Sequence, residues 1–367
     1  MTRTWLPDPG WTGDWPLPDL LRRPLTERER GGLVALSCEG MGPGQLAKAL
    51  VAARRLDDVL GDFASRWRGS LRALGHIGAR AVVPSDAEYP GPLATIDAPP
   101  PLLFVRGERL DELRPSVAIV GARACTSGAA RFAGRLGAAF AAAGFAVVSG
   151  LARGIDAAAH RGALQAGRSI AVLGTGINVC YPAEHADLAA HLVSDGGALV
   201  TEFPPGVGPR AWHFPARNRI ISGLSMALVI VEAGTTSGAL ITAGFALDQG
   251  REVFACTTGP ENPAGAGNRE LLKDGAALIV DPEQAVEVVM GLVADQGFAF
   301  GKPMPPRERV VDLDGELRRI YDAVTEECTV DEVAANAGVS SASVASGLAE
   351  LELEGLVSAS NGRWRRS

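Results

Sequence analysis

The sequence predicts an α/β protein built around a doubly wound parallel sheet, with a small helical domain ahead of it and a helical tail that closes in a short hairpin. Three observations predict it. Between residues 117 and 280, short apolar runs alternate with helical stretches, the order that lays parallel strands side by side beneath crossover helices. The glycines, 45 in 367 residues, gather at the ends of those runs, where tight turns are needed. Apolar residues make up 47% of the chain against 21% charged, which suits strands buried on both faces.

Taken in order, residues 1–24 are rich in Pro and Trp without periodicity and read as an irregular arm. A helical domain covers 25–78. Within it the turn Glu39-Gly40-Met41-Gly42-Pro43-Gly44 opens a new helix. That turn is either a plain helical hairpin or, as it resembles, a helix-hairpin-helix motif whose amides bind a DNA phosphate; with Lys48 the single nearby cation, the residues leave both open. The central domain, 79–300, begins with short strands and proline turns from Ala79 to Arg106, read as a connector docked on the main body of the domain. Strands are then predicted at Val117 to Val120, Ala146 to Ser149, Ile170 to Leu173, Ala198 to Thr201, Ala227 to Val231, Glu252 to Cys256 and Ala277 to Val280. Helices are predicted around Ala129 to Ala143, Ile155 to Gln165, Ala239 to Asp248 and Arg269 to Asp274. A proline-rich linker, 301–311, leads to the tail, 312–367. There, helices at Leu313 to Thr325, Val330 to Ala337 and Ser341 to Glu354, then a Val357 to Trp364 hairpin, give a winged-helix pattern.

Charge and cysteine usage narrow the function classes. The net charge is −7, which argues against nucleic-acid binding by the overall field and requires any such site to be local. The acidity is uneven. Ser116 to Ala285 carries 12 basic against 13 acidic residues, a balance of −1, whereas Asp312 to Ser367 carries 5 against 11, a balance of −6. The third tail helix has no Lys or Arg and ends in glutamates, so a protein contact or a regulatory role is expected of the tail rather than duplex binding. Five scattered cysteines make neither a disulfide framework nor a zinc site, and no apolar leader or membrane span is apparent, so a cytoplasmic protein without membrane contact is expected.

The strongest functional signal is His213-Phe214-Pro215-Ala216-Arg217-Asn218-Arg219, read as a loop before the Ala227 to Val231 strand. Two guanidiniums so close can grip successive phosphate oxygens, and Phe214 offers a face for a base. The alternative is that both arginines meet surface carboxylates and that Phe214 is core. Three further loops sit at strand ends: Gly121-Ala122-Arg123; Ser149-Gly150-Leu151-Ala152-Arg153-Gly154, with Asp156 as a helix cap; and Gly234-Thr235-Thr236-Ser237-Gly238, which opens a helix whose amides favour anions. In open α/β sheets ligands bind at the carboxyl ends of the strands, so four such loops imply one anion site.

Other chemistries fit less well. The dinucleotide-like Gly174-Thr175-Gly176-Ile177-Asn178-Val179 lacks the third glycine, and Pro182 stops the helix that would receive a pyrophosphate. Asp156 and His160 lie one turn apart with no Ser or Cys placed as nucleophile, and His185 and His191 have no metal-ligand spacing. No cofactor, metal or catalytic residue is expected.

The stretches SGLARGID (149–156), IAVLGTG (170–176), HFPARNRIISGLS (213–225) and Ser237 to Ala243, in that order and spacing, resemble the DprA/Smf family of DNA-processing proteins from roughly Tyr89 to Val288. The resemblance implies a Rossmann-like single-stranded DNA binder of natural transformation and recombination that dimerises, hands strands to the RecA recombinase and catalyses no reaction. It implies DNA-binding roles for Arg123, Phe214, Arg217, Asn218, Arg219, Ser237 and Gly238, to which the reading of the strand-end loops adds Gly121, Ala122, Ser149, Gly150 and Arg153. It implies a dimer or partner surface at Arg269, Leu271, Leu272, Lys273 and Leu278. Two departures stand out: Ala122 replaces the usual serine, leaving its backbone amide as the donor, and Cys256-Thr257-Thr258-Gly259 replaces a Val-Pro-Gly turn. A nucleotide-binding or nucleotide-hydrolysing enzyme of related fold would need a glutamate that the Gly234 to Gly238 loop lacks, and a DNA-sensing regulatory derivative of the family is the other alternative.

Overall fold

The computed structural model describes residues 15–257, 262–295, 315–325, 327–353, 356–360 and 362–366. The first fourteen residues of the predicted arm, the whole predicted linker 301–311, and Thr258 and Gly259 of the departing turn lie outside the described residues. Two units result, Met1–Pro306 and Arg307–Ser367.

The first unit opens with α1 (Glu27–Cys38), α2 (Pro43–Ala52), α3 (Leu56–Leu60) and α4 (Trp67–His76). Thr26 and Glu29 form a reciprocal capping box that starts α1, and Gln45 accepts from the Gly42 amide at 3.1 Å to start α2. Next come β1 (Ala79–Val82), α5 (Gly91–Ala94), β2 (Leu103–Gly107), β3 (Ser116–Val120), α6 (Ser127–Ala142), β4 (Ala146–Ser149), α7 (Ile155–Ala166), β5 (Ser169–Val172), α8 (Ala186–Ser194) and β6 (Ala198–Thr201). The unit ends with α9 (His213–Leu224), β7 (Ala227–Ile230), α10 (Gly238–Asp248), β8 (Glu252–Cys256), α11 (Ala266–Lys273), β9 (Ala277–Ile279) and α12 (Pro282–Asp295).

One sheet of order β1-β2-β6-β5-β4-β3-β7-β8-β9 unites them. The stretch read as a connector supplies β1 and β2, which extend the parallel sheet by antiparallel pairing, Ala79 opposite Arg106 and Phe104 opposite Thr201. Side chains alternate across the sheet with period two. Val105, Val120, Val148, Ile170, Val172 and Ile230 bury against α5, α9 and α10 on one face. On the other face Val117, Ile119, Val147 and Val229 meet α6, α7 and α12, while Phe104, Ala171 and Leu199 meet α8 and the N-terminal helices. The fold class expected from the sequence is thus present, with a mixed edge.

The winding reverses at β3, which pairs with β4 on one side and β7 on the other. Chain order runs outward from β3 to β6 and then restarts at β7, so the loops after β3 and β4 lead to one face and the loop after β7 to the other, leaving a crevice at their carboxyl ends.

In the second unit α13 (Gly315–Ala323), α14 (Val330–Ala337) and α15 (Ser341–Leu353) enclose Ile320, Val333, Val344, Leu348 and Leu351, and β10 (Val357–Ser360) pairs antiparallel with β11 (Arg363–Arg366). Three of its exposed cations, Arg363, Arg365 and Arg366, lie together on β11, and Arg318 and Arg319 are exposed on α13, features that attention to the cation-free α15 overlooks.

Candidate functional site

The crevice is an open cleft of about 790 Å³, lined by the loop after β3, by Asp156, Tyr181 and Arg210, by Phe214, Arg217 and Asn218 of α9, and by residues 234–239. Among the described residues its charged lining is Arg123, Arg210 and Arg217 against Asp156 alone, a local positive balance in a chain of net −7.

The segment expected as a loop is instead the start of α9. Burial of Ile220, Ile221 and Leu224 against the sheet supplies the drive, and His213 fixes the first turn. The imidazole is buried, donates Nδ1–H to the Gly174 carbonyl at 2.9 Å, and stacks on Phe203 with ring centres 3.9 Å apart. A helix advances about 100° per residue, so positions 214, 217, 218 and 221 share a face, while positions 217 and 219 diverge by about 200°. The two arginines that look like a pair in the sequence therefore separate.

Arg217 belongs to the cleft. The residue is 3% exposed, and its guanidinium donates Nη1–H to the Val172 carbonyl at 2.5 Å and leaves Nε without a partner among the described residues. It lies over Gly150, where an added Cβ would stand 1.9 Å from Nη1, so that glycine makes room for the guanidinium rather than for a ligand. Burial lowers the guanidinium to about 10, still cationic at neutral pH, while Asp156 and Arg123 act in opposite senses on it. The Asp156 carboxylate accepts from the Gly150 and Ala152 amides at 3.1 and 3.4 Å, and its burial raises its pKa, with Arg217 pulling the other way.

Phe214 lies on the same helical face, half-buried. Its ring presses on Gly174, where a Cβ would come within 2.8 Å of the ring. The Arg123 guanidinium stands 5.2 Å from the ring centre, and the 42%-exposed Tyr181 lies 5.4 Å away at a 42° tilt. This cluster gives the cleft an aromatic platform edged by a cation. Asn218 Nδ2 donates to the Gly238 carbonyl at 3.2 Å, which ties α9 to the start of α10.

Behind the platform the β4–α7 loop is held by histidines. Leu151 adopts φ 55°, a left-handed conformation unusual for leucine. Its N–H donates to His160 Nε2 at 3.3 Å, and its carbonyl accepts from His185 Nδ1 at 2.9 Å. Burial first, then the neighbouring Arg217, His185 and Arg161, holds His160 down to about 3, so the ring is neutral.

Several expected donors are occupied elsewhere. Arg219 is 1% exposed, donates through Nη1 and Nη2 to Glu202 at 2.6 Å each and through Nε to the Ala98 carbonyl at 2.9 Å, and does not line the cleft. Ser149 is buried, its hydroxyl on the Ile119 carbonyl at 2.7 Å. Arg153 is exposed beside the cleft and paired with Glu184 at 2.5 Å. The amide of Ala122 donates to Glu232 and that of Ser237 to Gly234, at 2.7 and 3.0 Å, whereas Gly238, first residue of α10, has no acceptor for its amide among the described residues. The fold itself uses these donors: Arg219 and Arg153 meet carboxylates, whereas Ser149 and the Ala122 and Ser237 amides satisfy backbone carbonyls. Gly121, Ala122, Arg123, Phe214, Arg217, Asn218, Ser237 and Gly238 do line one cavity.

Arg210 and Tyr181 escape a sequence reading organised around glycine loops, although Tyr181-Pro182 and the arginine shortly before His213 are visible signals. Of the expected partner surface, Leu278 is 46% exposed on the terminal strand β9, Lys273 is exposed, and Leu272 is partly exposed. Leu271 packs against this chain's own core, and Arg269 donates to the Asn262 carbonyl at 2.9 Å. Among the described residues no helix is long and apolar enough to cross a membrane, and no three His, Cys, Asp or Glu side chains are grouped to hold a metal.

Comparison with known proteins places the chain. The model for DNA recombination-mediator protein A matches residues 80–290, and that for the DprA winged helix domain matches residues 303–363. Protein Smf of Escherichia coli K12 is 43% identical over 291 residues, 78% of this chain and 77% of that protein. The putative DNA processing protein DprA of Mycobacterium tuberculosis is 37% identical over 342 residues, 89% of this chain and 85% of its own length. Among solved structures, DNA processing protein A of Streptococcus pneumoniae superposes with a TM-score of 0.56 at 33% identity, covering 73% of this chain and 95% of that one. That of Helicobacter pylori gives 0.53 at 24% identity, covering 59% and 97%.

Proposed function

Since this chain belongs to the DNA recombination-mediator protein A family, we propose that its cleft binds single-stranded DNA along the sugar-phosphate backbone in the processing of DNA for transformation and recombination. One observation carries the reading: the Phe214 ring, bordered by Tyr181 and the Arg123 guanidinium, shares a cavity with Arg210 and Arg217. Stacking uses a base face, and guanidiniums use phosphate oxygens, so the pair suits any sequence of unpaired bases. A duplex keeps its base faces stacked on one another and leaves the platform idle. A single-stranded DNA binding mode has been described for the Helicobacter pylori protein.

The protein acts in the cytoplasm and by binding, without catalysis. Among the described residues the cleft's one carboxyl, Asp156, is buried beneath backbone amides, and His160 is shut behind Leu151. The β9 edge, where Leu278 and the 54%-exposed Val280 project to the same side, joins two copies about a two-fold axis, and the bound strand passes to RecA.

The test is an anisotropy titration with single strand, blunt duplex and mononucleotide side by side. Binding should favour the single strand with little sequence preference and should weaken as salt rises. Equal affinity for duplex, or indifference to salt, would overturn the reading.

A further inference from the structure

A second cavity, of about 350 Å³, lies on the far side of the first turn of α9. It is lined by Ser37, Cys38, Gly40 and Gly42 to Gln45 of the α1–α2 hairpin, by Glu202 to Pro205 and Val207, and by Arg210, Trp212, His213 and Ala216. The helix start is thus a partition: Trp212 and His213 face the groove, Phe214 and Arg217 face the cleft, and Arg210 lines both.

The chemistry of the groove repeats that of the cleft. Trp212 is partly exposed, while the neighbouring rings of Phe203 and His213 are buried and stacked on each other, so Trp212 offers the accessible ring among the described lining residues. Among the described lining residues the one carboxylate, Glu202, is neutralised by Arg219 at 2.6 Å, and Glu39, on the hairpin but outside the lining, is paired with Arg66 at 2.8 Å, which leaves Arg210 as the net charge of the lining. The hairpin wall is nearly bare backbone. A Cβ on Gly40 would meet nothing within 4 Å, and one on Gly42 would meet only Gln45 Oε1, at 3.8 Å. Packing therefore does not fill this space. Its volume falls within the roughly 300–1,000 Å³ of small-ligand clefts, sufficient for a base but narrow for a helix.

We propose that the single strand in the cleft continues over the first turn of α9 into this groove, with Arg210 on the intervening phosphate and Trp212 as a second stacking surface walled by the α1–α2 hairpin. This rests on the reading of the cleft as a single-strand site and adds to it a direction and a second base position. It also gives the N-terminal helices a part in binding.

The experiment measures full-length parent and two variants against oligo-dT of about six and about fifteen nucleotides, within the ~4–16-nucleotide span of single-strand sites. Trp212→Ala should weaken the longer strand by roughly 5- to 150-fold, the stacking of one base, and leave the shorter strand unchanged. Because Trp212 also touches His213, the second variant is Gln45→Glu. It retains a capping-box residue and the hairpin while placing a negative charge in the groove. It should weaken the longer strand several-fold at low salt, with the difference vanishing at high salt and the shorter strand unaffected. Bromodeoxyuridine in the longer strand should cross-link to Trp212. Retained binding of both lengths by both variants, or an equal loss for both lengths, would overturn the second position while leaving the cleft reading intact. Failure of the parent to bind either strand would overturn both.

Discussion

Arg219→Ala should be a folding variant and not a binding variant, although Arg219 stands two residues from Arg217 in the most DNA-like stretch of the chain. The guanidinium and the Glu202 carboxylate are each 2% exposed and joined by two 2.6 Å bonds, and Nε serves the Ala98 carbonyl. Removing one partner of a buried pair costs about 3–5 kcal/mol, and a buried carbonyl left without its donor adds about 1–3. Against a total stability of roughly 5–15 kcal/mol this is a large fraction. At about 2–4 °C per kcal/mol for larger domains, the melting temperature should fall by roughly 10–30 °C. Arg123, exposed at the cleft rim, should behave oppositely: Arg123→Ala should shift stability by about 0.5 kcal/mol or less and weaken single-strand binding several-fold. The assay pairs thermal melting with anisotropy at a temperature where both variants are folded. Replacing both partners, Arg219→Met with Glu202→Leu, should recover most of the lost stability, because an apolar pair carries no desolvation penalty. The reasoning is refuted if Arg219→Ala melts within about 3 °C of the parent. It is equally refuted if the folded variant loses affinity as Arg123→Ala does.

Phe214→Ala should lower single-strand affinity by about 1–3 kcal/mol across sequences, and anisotropy with homopolymers of different base shows whether the loss is uniform. Truncation after Pro306 should leave single-strand affinity near that of the full chain, since the tail is acidic; a large loss from a folded truncated protein contradicts this. Leu278→Arg should convert a dimer to a monomer that still binds a strand, and light scattering at about tens of micromolar decides, with a monomeric parent counting against the β9 surface. His160, ordinarily near 6.5 in an unfolded chain, is held down to about 3 in the fold, so the stability it protects is complete above 6.5 and is lost as pH falls toward 3. The loss should approach about 1.4 kcal/mol per pH unit, and His160→Gln should flatten melting temperature against pH between about 7 and 4.5; an unchanged slope would exclude this residue as its source.

The sheet was legible because burial on both faces writes itself into the chain as unbroken apolar runs, such as Ala227 to Ile230, and because glycine marks the turn after most of them, as at Gly121, Gly150 and Gly174. The start of α9 was not. Pro215 and two arginines disguise a helix whose stability comes from Ile220, Ile221 and Leu224 meeting strands distant in sequence, a tertiary term that no local pattern carries. That single misreading of period decides the site. With side chains in an extended loop, Arg217 and Arg219 lie on one side and form a phosphate clamp; on a helix they oppose, so one reaches the cleft and the other locks the core. The same logic applies to the glycines. Gly150 and Gly174 look like phosphate-loop residues, yet each makes room for a side chain of α9, Arg217 and Phe214 respectively, so the β4 and β5 loops shape the cleft by seating that helix more than by touching a ligand. Anion binding in this fold is then a property of how α9 is seated. Substitutions at Gly150 or Gly174 should act on binding through the displaced guanidinium or ring.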